Sequence, residues 1–177
     1  DGGYFLTTDG EITKSSPQET AVQVQKQPPL LVHRLNIARR LGINPFPAFD
    51  LLELYAFAYP ARQCLPTVRG LAHALGLAVI TDPEEQTLLL FDAASSILNF
   101  LTGLNIKNRK SAAAIAMTMG QAGWNWAPTV LAALGVPEER DRFGGLDVWR
   151  TLAEWPDFAP EAPADDIAIS ELEARDR

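Results

Sequence analysis

The stretch PPLLVHRLNIARRLGINPFPAFDLLELYAFAYPARQCLPTVRGLAHALGL, residues 28–77, decides the fold. Pro28-Pro29 breaks the chain. Leu30-Leu31-Val32-His33 is a short apolar run, the pattern of a buried strand. Arg34 to Leu41 reads as a short helix closed by Gly42, because glycine adopts the left-handed conformation that ends a helix. Pro45 and Pro47 enforce an extended connector. Asp50 then caps a helix over Leu51 to Phe57, with Leu51, Leu54, Tyr55 and Ala58 on one face. Pro60 ends it. Thr67 caps the next helix, in which Val68, Leu71, Ala72 and Leu75 recur at helical spacing before Gly76. A strand, a helix, an extended connector and two capped helices predict an α/β domain with a small mixed sheet flanked by helices.

Upstream, Tyr4 to Thr8 is rich in aromatic and β-branched residues and reads as a strand. Asp9-Gly10 is a hairpin turn signal, and Glu11 to Lys14 return as a second strand. Ser16-Pro17-Gln18-Glu19 opens a helix to about Gln25, with Ser16 as cap, Pro17 at the first helical position and Glu19 completing a capping box. Downstream, Asp82-Pro83-Glu84-Glu85 starts a long helix to about Thr102. A second runs from Lys110 to about Gln121 and is interrupted by Trp124-Asn125-Trp126-Ala127-Pro128. A short helix from Pro128 to Leu134 ends at Gly135. Gly144-Gly145 marks a loop, and Leu146 to Leu152 a short helix or turn. From Pro156 the chain holds three prolines and seven acidic residues, with little to bury. The expected organisation is an α/β domain over 1–105, a helical extension packed on it over 106–156, and an acidic tail or linker over 157–177.

A chain of 177 residues buries enough apolar surface to fold without disulfides or metals. Its single cysteine, Cys64, excludes an internal disulfide framework and a zinc site built on cysteine pairs, and fits a reducing cytoplasm. No run of 18 apolar residues predicts a membrane span. The chain begins at Asp1 without a basic-then-apolar leader, and we read it as an interior piece of a longer polypeptide. A net charge of −7 repels phosphate backbones, which argues against tight autonomous nucleic-acid binding. Arg34, Arg39 and Arg40 form one local candidate patch for weak DNA contact, and Lys107, Arg109 and Lys110 another. No P-loop pattern is present, so ATP is not held here by that device. Trp124 and Trp126 have apolar surroundings and read as packing residues rather than base-stacking ones.

The segments Leu30-Leu31-Val32-His33, Phe49-Asp50-Leu51-Leu52-Glu53-Leu54, and Leu65-Pro66 through Leu75-Gly76 resemble, in this order, the middle of the DEDD (RNase H-like) 3′–5′ exonuclease fold. In that family a strand ending in a His-Asn pair feeds a helix, and an aspartate then opens a second helix. Leu51 to Tyr59 with Leu65 to Leu77, the run Trp124 to Leu131, and Gly145-Leu146-Asp147-Val148-Trp149 are similar to segments of DinG-type DNA helicases of bacteria, in which an exonuclease-like module precedes the motor. The resemblance covers about residues 4–155 and implies a degenerate RNase H-like sheet, with the Tyr4 to Lys14 hairpin supplying its first two strands. It also implies a partner, the helicase motor of the same polypeptide, whose ATP-binding and hydrolase functions lie outside these residues.

Two-metal phosphodiester cleavage needs several carboxylates converging on Mg²⁺ ions. The family supplies an Asp-x-Glu on the first strand, an Asp after the His-Asn strand, and a final Asp preceded by a His or Tyr base. Asp9-Gly10-Glu11 fits the first pattern by letters, but sits where a hairpin turns. After His33 come Arg34 to Arg40 with no carboxylate. Asp92 is the candidate for the final Asp, and its expected base position is Thr87, a poor base at neutral pH. Asp9, Glu11 and Asp92 are therefore relic candidates, and the expectation is an inactive accessory module of DNA processing or repair without a cofactor. The alternatives are an active exonuclease with rearranged ligands, which would need Mg²⁺, and a protein-interaction or dimerisation module.

Overall fold

The computed structural model describes residues 2–7 and 9–135. Thr8, the glycine loop at 144–145, the 146–152 helix, the DinG-like segment at 145–149 and the acidic segment lie outside the described residues. Strands β1 (Gly3–Leu6) and β2 (Ile12–Ser15) form an antiparallel hairpin, with Phe5 opposite Thr13. The turn between them holds Gly10 at φ 87°, a left-handed value that glycine adopts without steric strain. Helix α1 (Pro17–Lys26) follows with the expected capping box: Ser16 accepts from the Glu19 N–H, and Glu19 accepts from the Ser16 N–H at 2.8 Å.

Strand β3 (Leu30–Leu31), helix α2 (Arg34–Leu41) and strand β4 (Phe49–Asp50) form a parallel crossover, with Leu30 opposite Phe49 and Leu31 opposite Asp50. The expected single mixed sheet is divided. Among the described residues the hairpin and the β3–β4 ladder are separate two-stranded sheets, so the hairpin does not supply strands to the ladder. The ladder is only two residues long and depends on its surroundings, since so few hydrogen bonds cannot stabilise a sheet alone. Both its faces are covered, as parallel strands require. Leu31 and Ala48 pack with Val24 of α1 and Ala38 of α2 in a small core. Val32 and Phe49 face the larger one.

That larger core is built by α3 (Leu51–Ala58), α4 (Val68–Leu75), α5 (Glu85–Thr102), α6 (Ile106–Gln121) and α7 (Ala127–Leu134). Leu51, Leu54, Ile97, Val130 and Leu134 are fully buried within it. Helices α6 and α7 therefore share one core with α3 to α5. Helix α6 starts at Ile106, one turn earlier than the sequence reading places it, because the Asn105 side chain caps it by accepting from the Asn108 N–H at 2.9 Å. Among the described residues no helix is long and apolar enough to cross a membrane.

Candidate functional site

Of the three candidate carboxylates, Asp9 and Glu11 lie in the hairpin turn and Asp92 lies on α5. Asp9 is exposed in the hairpin turn, where the Thr7 hydroxyl donates to its carboxylate. That bond, together with its own backbone N–H, holds the Asp9 carboxyl below its ordinary value. The turn is closed by the Thr7 N–H on the Glu11 carbonyl at 2.9 Å and the Gly10 N–H on the Thr7 carbonyl at 3.0 Å. Glu11 is exposed on the returning side. Asp92 is exposed on α5. Thr87, at the position where the resemblance expects a base, is buried and donates its hydroxyl to the Glu84 carbonyl at 2.6 Å. That bond commits the Thr87 hydroxyl proton to the backbone at the first turn of α5. Among the described residues no group of three His, Cys, Asp or Glu side chains comes together as a metal site would need.

The polar side chains that do converge gather where the parallel ladder ends. Asp50 is 5 % exposed, and its carboxylate accepts three backbone N–H groups: His33 at 2.9 Å, Arg34 at 2.7 Å and Leu52 at 3.0 Å. One carboxylate thus caps α3 and also ties the start of α2 to it. His33 is held at φ 67°, a left-handed conformation that a side chain disfavours, by this double anchor. Arg34 pairs with Glu53 at 3.3 Å and donates to the Phe46 carbonyl at 3.3 Å. Burial raises the Glu53 carboxyl above its ordinary value; Arg34 opposes that shift, Asp50 adds to it, and the nearby Trp124 indole lowers it slightly. The Trp124 indole nitrogen is itself buried without a hydrogen bond of normal geometry.

The outer edge of β4 is closed by side chains. The Phe49 N–H points toward β3 and donates to the Pro29 carbonyl at 2.8 Å. Neighbouring residues in a strand alternate direction. The Ala48 and Asp50 carbonyls therefore point the other way, and they accept from the Asn125 side chain at 3.0 Å and the Trp126 indole at 2.9 Å. Trp126 also packs edge-on against Phe49, with ring centroids 5.1 Å apart. Trp124 packs on Phe57 at 5.0 Å. Both tryptophans are packing residues, in keeping with the apolar sequence around them. The Asp50–Glu53–Arg34 cluster has its acceptors occupied by protein donors and works as a joint between ladder and helices.

The basic candidates divide. Arg34 is engaged internally, and Arg109 donates to the Thr102 and Leu104 carbonyls at 3.0 and 3.1 Å, capping the end of α5. Arg39, Arg40, Lys107 and Lys110 are exposed and make no ion pair with another described residue. Cys64 is half-buried, and burial raises its thiol above the ordinary value, which disfavours the reactive thiolate. Sequence reading missed the second role of Asp50, the Glu53 pair and the Asn125–Trp126 closure, because each joins residues far apart in the chain. The Asn105 cap was signalled by an asparagine directly before a helical run. No protein-family model, curated protein or solved structure matches this chain.

Proposed function

We propose that this chain is a catalytically inactive, exonuclease-like accessory domain of a bacterial DinG-type DNA helicase, with the ATP-driven motor outside these residues. Its role is positional: it packs on the motor and guides a DNA strand weakly. One observation carries the reading. The segments from Leu30 to Gly76 carry the resemblance in sequence, while the candidate carboxylates Asp9, Glu11 and Asp92 are dispersed over a turn and the exposed surface of α5. At the position after His33 where the family places an aspartate stand a buried Ala38 and the exposed Arg39 and Arg40. Cations there repel Mg²⁺. Packing on a motor needs exposed apolar surface, and Leu88 at 51 % and Phe91 at 53 % lie one turn apart on α5.

The test is degradation of labelled single-stranded DNA in the presence of Mg²⁺ or Mn²⁺. The expected result is an intact substrate. Processive cleavage that Asp9→Ala or Asp92→Ala abolishes would overturn the reading and favour a nuclease with rearranged ligands.

A further inference from the structure

We propose that the exposed face of Tyr59, Phe100 and Arg62, at the ends of α3 and α5, is a stacking site for single-stranded DNA, with Lys107 and Lys110 on the first turns of the following helix α6. The proposal specifies the weak strand contact of the reading above, but it stands on its own observations.

The first observation is an open aromatic ladder. Tyr59, just past the end of α3, packs on Phe100 of α5 with ring centroids 4.4 Å apart and planes 35° apart. The Arg62 guanidinium lies over Tyr59 at 5.2 Å. Phe100 is 40 % exposed, so part of its ring is open to solvent while its inner side packs on Tyr59. Aromatic faces flanked by a guanidinium accept unpaired bases without regard to sequence.

The second observation is charge. Residues 136–177 hold 12 of the 22 Asp and Glu and five of the 15 Lys and Arg, a balance of −7, so residues 1–135 are neutral as a whole. The net negative charge therefore comes from residues 136–177 and not from the residues that form this surface. The stretches 54–81 and 93–135, which supply it, contain no Asp or Glu at all. Arg62, Lys107 and Lys110 are exposed and make no ion pair with another described residue. The Arg109 bonds to the Thr102 and Leu104 carbonyls fix the first turn of α6 against the end of α5 that carries Phe100. Cations and aromatic ladder thus share one end of the helical core. Phosphates meet the lysines while bases meet Phe100. Duplex DNA has no exposed base face to offer.

Fluorescence anisotropy of the full chain with a labelled oligothymidylate of about 16 nucleotides, at about 50 mM salt, tests this. Binding that weakens with salt is expected. Phe100→Ala lowers affinity on the order of tenfold. Phe100→Leu, which keeps an apolar contact with Tyr59 and so guards against misfolding, lowers it similarly. The Lys107→Ala/Lys110→Ala pair flattens the log–log salt slope by roughly 1.4, two phosphates on a single strand. No binding by the full chain overturns the proposal. So does a duplex bound as tightly as the single strand. Loss of binding in Arg39→Ala/Arg40→Ala with Phe100→Ala silent also overturns it, while leaving the accessory-domain reading its DNA contact elsewhere.

Discussion

Asp50 concentrates more of the local architecture than any other residue described. Its carboxylate satisfies three backbone N–H groups that would otherwise be buried without partners. Asp50→Ala leaves them unpaired and should destabilise the domain by about 3 kcal/mol or more, read from urea midpoints. Asp50→Asn keeps one acceptor oxygen and should lose less. An Asp50→Ala protein as stable as the parent would show that the joint is dispensable. Glu53 makes a pH prediction of definite sign. Its folded carboxyl sits above the ordinary 4.5. The folded state therefore holds that proton more tightly than the unfolded chain, and its contribution to stability declines as pH rises from about 4.5 through the folded value. Glu53→Gln removes the decline, so its stability relative to the parent should increase from acid to neutral pH. Parallel pH curves would contradict this. Glu19, lowered by its bonds to Ser16, acts oppositely: its contribution is present above 4.5 and lost as pH falls below it.

At the scale of elements, the helix boundaries follow from short-range chemistry. Ser16, Asp50 and Thr67 cap α1, α3 and α4, and Gly42, Gly76 and Gly135 end α2, α4 and α7. Each signal lies within a few residues of the end it marks, so the sequence displays it directly. The sheet was less legible, because two-residue strands carry no periodicity and their partners are chosen by distant packing. The Trp126 indole reaches Asp50 across 76 positions, and nothing local in either residue announces it. Helix α4 shows packing overruling propensity. Alanine is intrinsically better than glycine in a helix by about 1 kcal/mol. A Cβ at Gly70, however, would stand 2.5 Å from the Leu65 carbonyl oxygen and 2.5 Å from the Leu65 Cβ. Gly70→Ala should therefore destabilise the protein, by about 1–3 kcal/mol. A rise in thermal midpoint would show that the 65–70 turn relaxes freely.

For the whole molecule, α6 and α7 complete the core that α3 to α5 begin. Removing part of one should weaken all of them together. Leu134 is fully buried, and Leu134→Ala is expected to destabilise by about 2–5 kcal/mol in a single transition. Two separated transitions by near- and far-ultraviolet circular dichroism would mean that the helices after residue 105 fold apart from the rest. Of the candidate site, the capping role of Asp50 was legible from its place before an apolar helical run, while its bonds to the His33 and Arg34 N–H groups were not. The internal engagement of Arg34 and Arg109 was not, because a basic side chain looks the same in sequence whether it meets solvent or a carbonyl.

The proposed function requires that Asp9, Glu11 and Asp92 do not converge on metal ions. A Mn²⁺ titration followed by electron paramagnetic resonance reads this directly, without depending on the choice of DNA substrate. The account predicts no saturable site beyond weak surface association, and identical titrations for the parent, Asp9→Ala and Asp92→Ala. Saturable binding of two Mn²⁺ ions, lost in either variant, would contradict it.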